Sequence, residues 1–117
     1  MRMSTYLSLS KTSFERQKSR FSRLLRERGW LRGTNKSLKL IWWEKTTQAG
    51  RLEATCFWHP ARGTKNYPGT ETWYFQLVRF VPGTDHSPDV LARWYNKSAD
   101  HMIAWVDTEL PLALMEV

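Results

Sequence analysis

The chain has 117 residues and a formal net charge of +7, with 41% hydrophobic and 14% aromatic residues. This length and composition suffice to bury a hydrophobic core, so a single domain over residues 1–117 is predicted. One cysteine, Cys56, excludes an internal disulfide and a cysteine-based zinc site. No apolar run reaches the ~18 residues of a membrane span, and a cytoplasmic protein is the simplest expectation.

The positive charge is concentrated near the beginning of the chain. Ten of the 18 Lys and Arg residues lie within residues 11–39, which hold only two acids, so this segment has a net charge of +8. The residues after Lys39 have a net charge of −2. Charge concentrated in this way attracts negatively charged partners, whereas it says little about the fold.

The first predicted element after a short alternating segment, residues 5–10, is a basic helix. Thr12 followed by Glu15 is a capping box that predicts where this helix begins, and Gly29 predicts where it ends. The spacing is amphipathic. The apolar face carries Phe14, Phe21, Leu24 and Leu25, and the opposite face carries a stripe of cations, Arg16, Arg20 and Arg23.

Three segments rich in β-branched and aromatic residues, each bounded by Gly or Pro, predict strands. They are residues 38–44, 51–58 and 72–81, and a polar turn, residues 33–37, precedes them. Residues 45–50 are a connection short enough for an antiparallel hairpin. Residues 59–70 form a longer connection that predicts a loop, of a length that often serves function.

The C-terminal part of the sequence predicts helices. Ser87-Pro88-Asp89 is typical of a helix start, and apolar residues keep helical spacing from Val90 to Val106. Ser98, within a polar patch, is a second candidate cap, and the apolar tail after Leu110 is expected to dock on the domain. The predicted fold is therefore α+β: an N-terminal basic helix, a three-stranded antiparallel sheet, and a C-terminal helix or helix pair packed on the sheet.

The basic helix provides the main functional hypothesis. Regularly spaced cations on one helix face match the phosphates of a nucleic-acid backbone. An ordinary solvated face is the alternative, since Glu27 could pair with Arg23. A net charge of +8 exceeds what solubility requires, which favours an anionic partner, either nucleic acid or an acidic protein surface. The predicted partner-binding residues are Arg16, Arg20, Arg23, Arg26, Arg32, Lys36, Arg62 and Lys65.

The predicted strands are apolar on both faces. Alternation puts Trp42, Cys56, Trp73 and Phe75 on one set of faces, and Trp43, Phe57 and Tyr74 on the other. One face must meet the helices. The other is either buried as well or forms an aromatic platform on which bases stack. We favour burial on both faces, because exposed aromatic surface promotes aggregation.

The loop over residues 59–67 provides a weaker alternative. His59 could serve as an acid or base, and Arg62 and Lys65 as stabilisers of charge, in a small metal-independent RNase. Mixed polar loops are common, however, so the signal has little specificity. The three histidines lack metal-ligand spacing and no phosphate-binding or dinucleotide motif is present, so neither a metal nor a cofactor is expected.

The sequence therefore favours a small basic, non-enzymatic binding protein that binds nucleic acid through an Arg-rich helix face. No catalytic residues are assigned. The first alternative is a protein-binding inhibitor or adaptor, of the kind that phages and plasmids carry, docking on an acidic or nucleic-acid-binding protein. The second alternative is the small metal-independent RNase.

Overall fold

The computed structural model describes residues 2–37, 40–59, 72–81, 83 and 88–115. In this part of the chain a long helix is followed by five strands and two short helices. They are α1 (Arg2–Glu27), β1 (Leu31–Asn35), β2 (Leu40–Thr47), β3 (Gly50–His59), β4 (Thr72–Phe80), β5 (Asp89–Tyr95), α2 (Ala99–Thr108) and α3 (Leu110–Met115). The strands form one antiparallel sheet in the order β1-β2-β3-β4-β5.

The predicted α+β class is confirmed, but the prediction of a three-stranded sheet is wrong. The sheet has five strands, and the two that the sequence did not predict, β1 and β5, are its edges. β1 overlaps the predicted polar turn and is largely exposed. It pairs with β2 from Leu31↔Glu44 to Asn35↔Leu40. Short polar edge strands lack the apolar alternation that identifies central strands, so pairing with a neighbour decides their structure.

β5 replaces the first half of the predicted C-terminal helix. Its pairing with β4 uses Val90 and Ala92 and skips Leu91, which marks a β-bulge. The extra residue interrupts the two-residue alternation, so the apolar residues of this strand imitate helical spacing. The helix begins instead at the second candidate cap, where the Ser98 hydroxyl accepts the His101 backbone N–H at 3.1 Å.

α1 is longer than predicted. It begins at Arg2 and includes residues 5–10, which were expected to be extended. Its last residue is Glu27, and Gly29 follows with φ = +86°, the left-handed conformation that glycine adopts at helix ends. The Trp30 backbone N–H donates to the Leu25 carbonyl at 3.1 Å, which closes the helix end and turns the chain toward β1.

The core lies between α1, α2 and one face of the sheet, and Phe21 is at its centre. Phe21 is fully buried, and its ring meets that of Trp43 on β2 edge-on, with centroids 6.0 Å apart. Its ring also meets the rings of Phe75 on β4 and Trp94 on β5 edge-on, with centroid distances of 5.4 and 6.4 Å. One helix side chain therefore contacts three strands, and Phe14 adds a contact with Phe75 at 6.0 Å.

α2 is bound to α1 near both of its ends. The Gln17 side-chain oxygen accepts the first backbone N–H of α2 at 2.7 Å. Beside it, Arg20 donates to Asp100 at 2.8 Å. Near the other end, Arg28 donates two hydrogen bonds to Asp107, at 2.6 and 2.8 Å. These contacts fix the position of α2 along α1.

None of the three described helices packs on the opposite face of the sheet, which we call the open face. The strand register places Trp42, and not Trp43, on this face with Phe57 and Tyr74. Alternation within one strand shows which of its own residues share a face. Only the pairing between strands shows which residues of neighbouring strands lie on the same face of the sheet. Tyr95 on the same face is 51% exposed, which differs from the expectation that both faces are buried.

We expect Phe21→Ala to lower the free energy of unfolding by about 3–5 kcal/mol, because it leaves a cavity among three aromatic neighbours. Chemical denaturation measures this loss. Phe80→Ala is the matched control, since Phe80 is only partly buried, on the open face, beneath Arg51. Equal losses for the two variants would contradict a core centred on Phe21.

Candidate nucleic-acid interface

The position of Phe21 in the core divides the cations of α1 between two sides of the helix. Arg20 and Arg28 lie on the side of α2, as their hydrogen bonds to Asp100 and Asp107 of that helix show. Lys18, Ser22 and Arg26 lie on the other side, toward β1 and β2.

The cations on the α2 side are neutralised within the fold. The hydrogen bond to Asp100 raises the pKa of Arg20, and the bond to Asp107 raises that of Arg28. In return, the bond from Arg28 lowers the pKa of Asp107. Arg20 and Arg28 thus serve to pack the two helices together.

On the other side of α1 lies a groove of 560 Å³ between the helix and the first two strands. We call it the cationic groove. Four cations and one acid line it, so the lining has a net charge of +3. The lining residues are Lys18, Ser19, Ser22, Arg23, Arg26, Glu27, Arg32, Ile41 and Trp43.

The cations of the groove come from two elements that the core holds in place. Arg32 lies on β1 opposite Trp43 of β2, so it is on the sheet face that meets α1. The Trp43 indole N–H donates to the Ser22 hydroxyl at 2.8 Å, which joins the floor of the groove to its helical wall. At one end of the groove, the Lys18 ammonium nitrogen forms an ion pair with a Glu15 carboxylate oxygen at 3.1 Å.

Arg23, Arg26 and Arg32 are exposed and form no ion pair with any residue that the structure describes. Their guanidinium groups are therefore available to an external anion. Guanidinium is the cation that best matches the oxygens of phosphate, because its N–H donors form a planar fork.

The structure separates the residues that the sequence grouped as partner-binding. Arg20 is bonded to Asp100, whereas Arg16 and Lys36 are exposed and outside the groove lining. Two fall outside the described residues: Arg62 and Lys65. Three line the groove together: Arg23, Arg26 and Arg32.

Sequence reasoning missed Lys18, Ser19 and Ser22 as members of this site. The two serines alternate with cations along α1, but their role depends on where β1 lies. Because residues 33–37 were predicted as a turn and no strand was predicted before residue 38, nothing in the sequence placed Arg32 beside the helix.

A second cavity, of 350 Å³, lies between β2 and β3, and we call it the interstrand cleft. In the described part of the sheet these strands pair from Trp42↔Thr55 to Thr47↔Gly50, and the pairing does not extend to Leu40 and Ile41. Its lining is Phe14, Lys18, Leu40, Ile41, Trp42, Glu53, Thr55, Cys56 and Phe57. Lys18 and Ile41 line both cavities, so the cleft adjoins the cationic groove.

Cys56 lies in the cleft as a neutral thiol. Burial raises its pKa to about 11; Lys18 opposes this rise and Glu15 adds to it. Only the thiolate is a strong nucleophile, so the raised pKa lowers the reactivity of Cys56 near neutral pH.

Among the described residues, no three His, Cys, Asp or Glu side chains are grouped so that they could hold a metal ion. No described helix is both long and apolar enough to cross a membrane. Comparison with protein-family models, with curated protein sequences and with solved structures returns no match for this chain. Its function is therefore inferred from the geometry of the site.

At pH 8 we expect iodoacetamide to alkylate Cys56 at least about tenfold more slowly in the native protein than in denaturant. A pKa raised from 9.0 to about 11 lowers the thiolate fraction about 100-fold, and the greater nucleophilicity of a more basic thiolate offsets about tenfold of that loss. Mass spectrometry of timed samples measures the rate. Free cysteine under both conditions corrects for the effect of denaturant on the reagent. Equal rates in the native and unfolded protein would show that the thiol is not shielded.

Proposed function

We propose that this chain is a small non-enzymatic binding protein that holds the phosphate backbone of a nucleic acid in the cationic groove. One observation carries the proposal. The arginines on the α2 side of α1 are paired with acids, whereas Arg23, Arg26 and Arg32 converge on one groove without partners in the described part of the chain.

The chemistry of the groove suits phosphate oxygens. Each phosphate that a cation neutralises releases condensed counterions, which favours binding at low salt. Ser22 adds a neutral donor: its oxygen accepts the Trp43 indole N–H, so its own O–H remains able to donate. Ser19 lines the same wall.

The size of the groove limits the number of phosphates that it can hold. From Lys18 to Arg26 the helix rises about 12 Å, at about 1.5 Å per residue. The three arginines of the groove without an ion partner among the described residues, Arg23, Arg26 and Arg32, can each neutralise one phosphate, so about three phosphate contacts are expected. Three contacts give a slope near −3 in a plot of log K against log salt concentration, somewhat less for a single strand.

An acidic protein surface is the alternative ligand for the same cations, and it would make the protein an inhibitor or adaptor. A flexible phosphodiester strand follows a groove between a helix and a sheet edge more readily than a folded protein surface does, which favours nucleic acid. The RNase hypothesis depends on residues 59–67, and all but His59 lie outside the described residues. It stays a prediction of the sequence.

We expect Arg26/Arg32→Glu to weaken binding of a short oligonucleotide by more than about tenfold, and to reduce the magnitude of the salt slope by about two, because two phosphate contacts are lost. The matched control is Lys36/Lys97→Glu, which changes the net charge equally at exposed residues outside the groove. Fluorescence anisotropy over a range of salt concentrations measures both quantities.

Equal weakening by the two double variants would mean that net charge, and not the groove, attracts the ligand. If the wild type binds poly-glutamate but does not bind an oligonucleotide at low salt, the acidic-protein alternative is favoured.

A further inference from the structure

We propose that the interstrand cleft receives an unpaired nucleobase from a strand whose phosphates lie in the cationic groove. The ligand would then be single-stranded nucleic acid. This inference rests on the proposed function of the groove and specifies the class of nucleic acid that it binds.

The cleft exists because β2 and β3 pair over only part of their length. β1 pairs with β2 as far as Asn35↔Leu40, and β3 pairs with β4 as far as His59↔Thr72. Between these two ladders the described pairing of β2 with β3 stops at Trp42↔Thr55. The resulting 350 Å³ is at the lower end of the range of about 300–1,000 Å³ for pockets that bind small molecules, a size suited to one flat ring system.

One wall of the cleft is the end of a row of aromatic rings. Phe57 stacks on Tyr74, with centroids 4.9 Å apart and an angle of 21° between the rings. Tyr74 in turn packs on Tyr95 at 5.3 Å and 35°. Because Tyr74 covers Phe57 on the β4 side and Phe57 also lines the cleft, a base in the cleft would extend this row on the β2 side.

The other wall includes Trp42, whose indole covers Gly33 of β1. A Cβ atom at Gly33 would lie 2.3 Å from the indole ring, so the ring occupies the space that a larger residue would fill. This contact holds the indole toward β1, on the side away from β3. Trp42 therefore borders the cleft without closing it.

The cleft also contains a polar group that lacks a partner. The Thr55 hydroxyl oxygen is inaccessible to solvent and has no hydrogen-bond partner in the described part of the chain. Buried hydroxyls are normally hydrogen-bonded. The edge of a nucleobase carries both donors and acceptors, so a base in the cleft could bond Thr55 once the side chain rotates and brings its hydroxyl to the cleft surface.

Lys18 connects the two cavities. It lines both of them, so a phosphate bound there would lie beside the entrance to the cleft. A base that enters the cleft must be unstacked and unpaired, which the strands of a duplex do not offer without a cost in energy. The arrangement of groove and cleft consequently favours a single strand over a duplex.

The test compares three probes of equal length: a DNA single strand, its duplex, and a strand with the same backbone but abasic sites. Stacking of one base corresponds to about 5- to 150-fold in affinity, so we expect the single strand to bind at least about fivefold more tightly than the abasic strand. Phe57→Leu should remove this difference. Phe80→Leu, at the other end of the open face, should leave it unchanged.

Cys56 provides a direct measure of whether the cleft is occupied, since it is the single cysteine of the chain. We expect the single strand to slow alkylation of Cys56, and the abasic strand, at a concentration that gives equal occupancy, to leave the rate unchanged. Thermal melting of both Phe variants shows whether each is folded. If Phe57→Leu does not fold, the alkylation assay on the wild type still tests whether a base occupies the cleft.

The outcomes separate the two proposals. If the three probes bind equally well and none of them protects Cys56, the cleft does not bind a base, while the groove can still bind phosphate. If no probe binds, or if Arg26/Arg32→Glu binds as tightly as the wild type, the proposed function of the groove is wrong.

Discussion

The rotation of α1 about its own axis is the constraint on which the remaining features depend. Phe21 fixes this rotation, because its ring lies among aromatic rings from three strands and is fully buried. Each residue of an α-helix is turned about 100° from the one before it, so fixing one side chain fixes the direction of all the others. Arg20, immediately before Phe21, is thereby directed toward α2, and Ser22, immediately after it, toward β2.

This rotation gives the cations of the helix two different roles. Those on the α2 side form hydrogen-bonded ion pairs with Asp100 and Asp107, and contribute to packing. Exposed pairs of this kind add little stability, about 0–1 kcal/mol each, so their main effect is to set the position of α2. On the β1 side, Lys18 pairs with Glu15, whereas Arg23 and Arg26 form no ion pair with any described residue, and the edge strand adds Arg32 to them. The interstrand cleft then places an aromatic wall beside the same cations.

The sequence predicted the features that depend on local spacing. The apolar face of α1 is the face that packs on the sheet, and the three central strands lie close to their predicted positions. It did not predict features that depend on neighbours. β1 is too short and polar to be identified without β2, and the bulge at Leu91 makes β5 resemble a helix. The cationic stripe was defined by helix geometry alone, which could not show that Arg20 would meet an acid eighty residues away.

The most direct measurement is the NMR signal of each arginine Nε–H group during titration with a single-stranded oligonucleotide, assigned through single Arg→Lys variants. We expect the signals of Arg23, Arg26 and Arg32 to shift with a common dissociation constant. Those of Arg20 and Arg28 should stay in place, because their Nε–H groups already donate to Asp100 and Asp107. Shifts spread evenly over all five arginines, or confined to Arg20 and Arg28, would contradict the division of charge that the fold imposes.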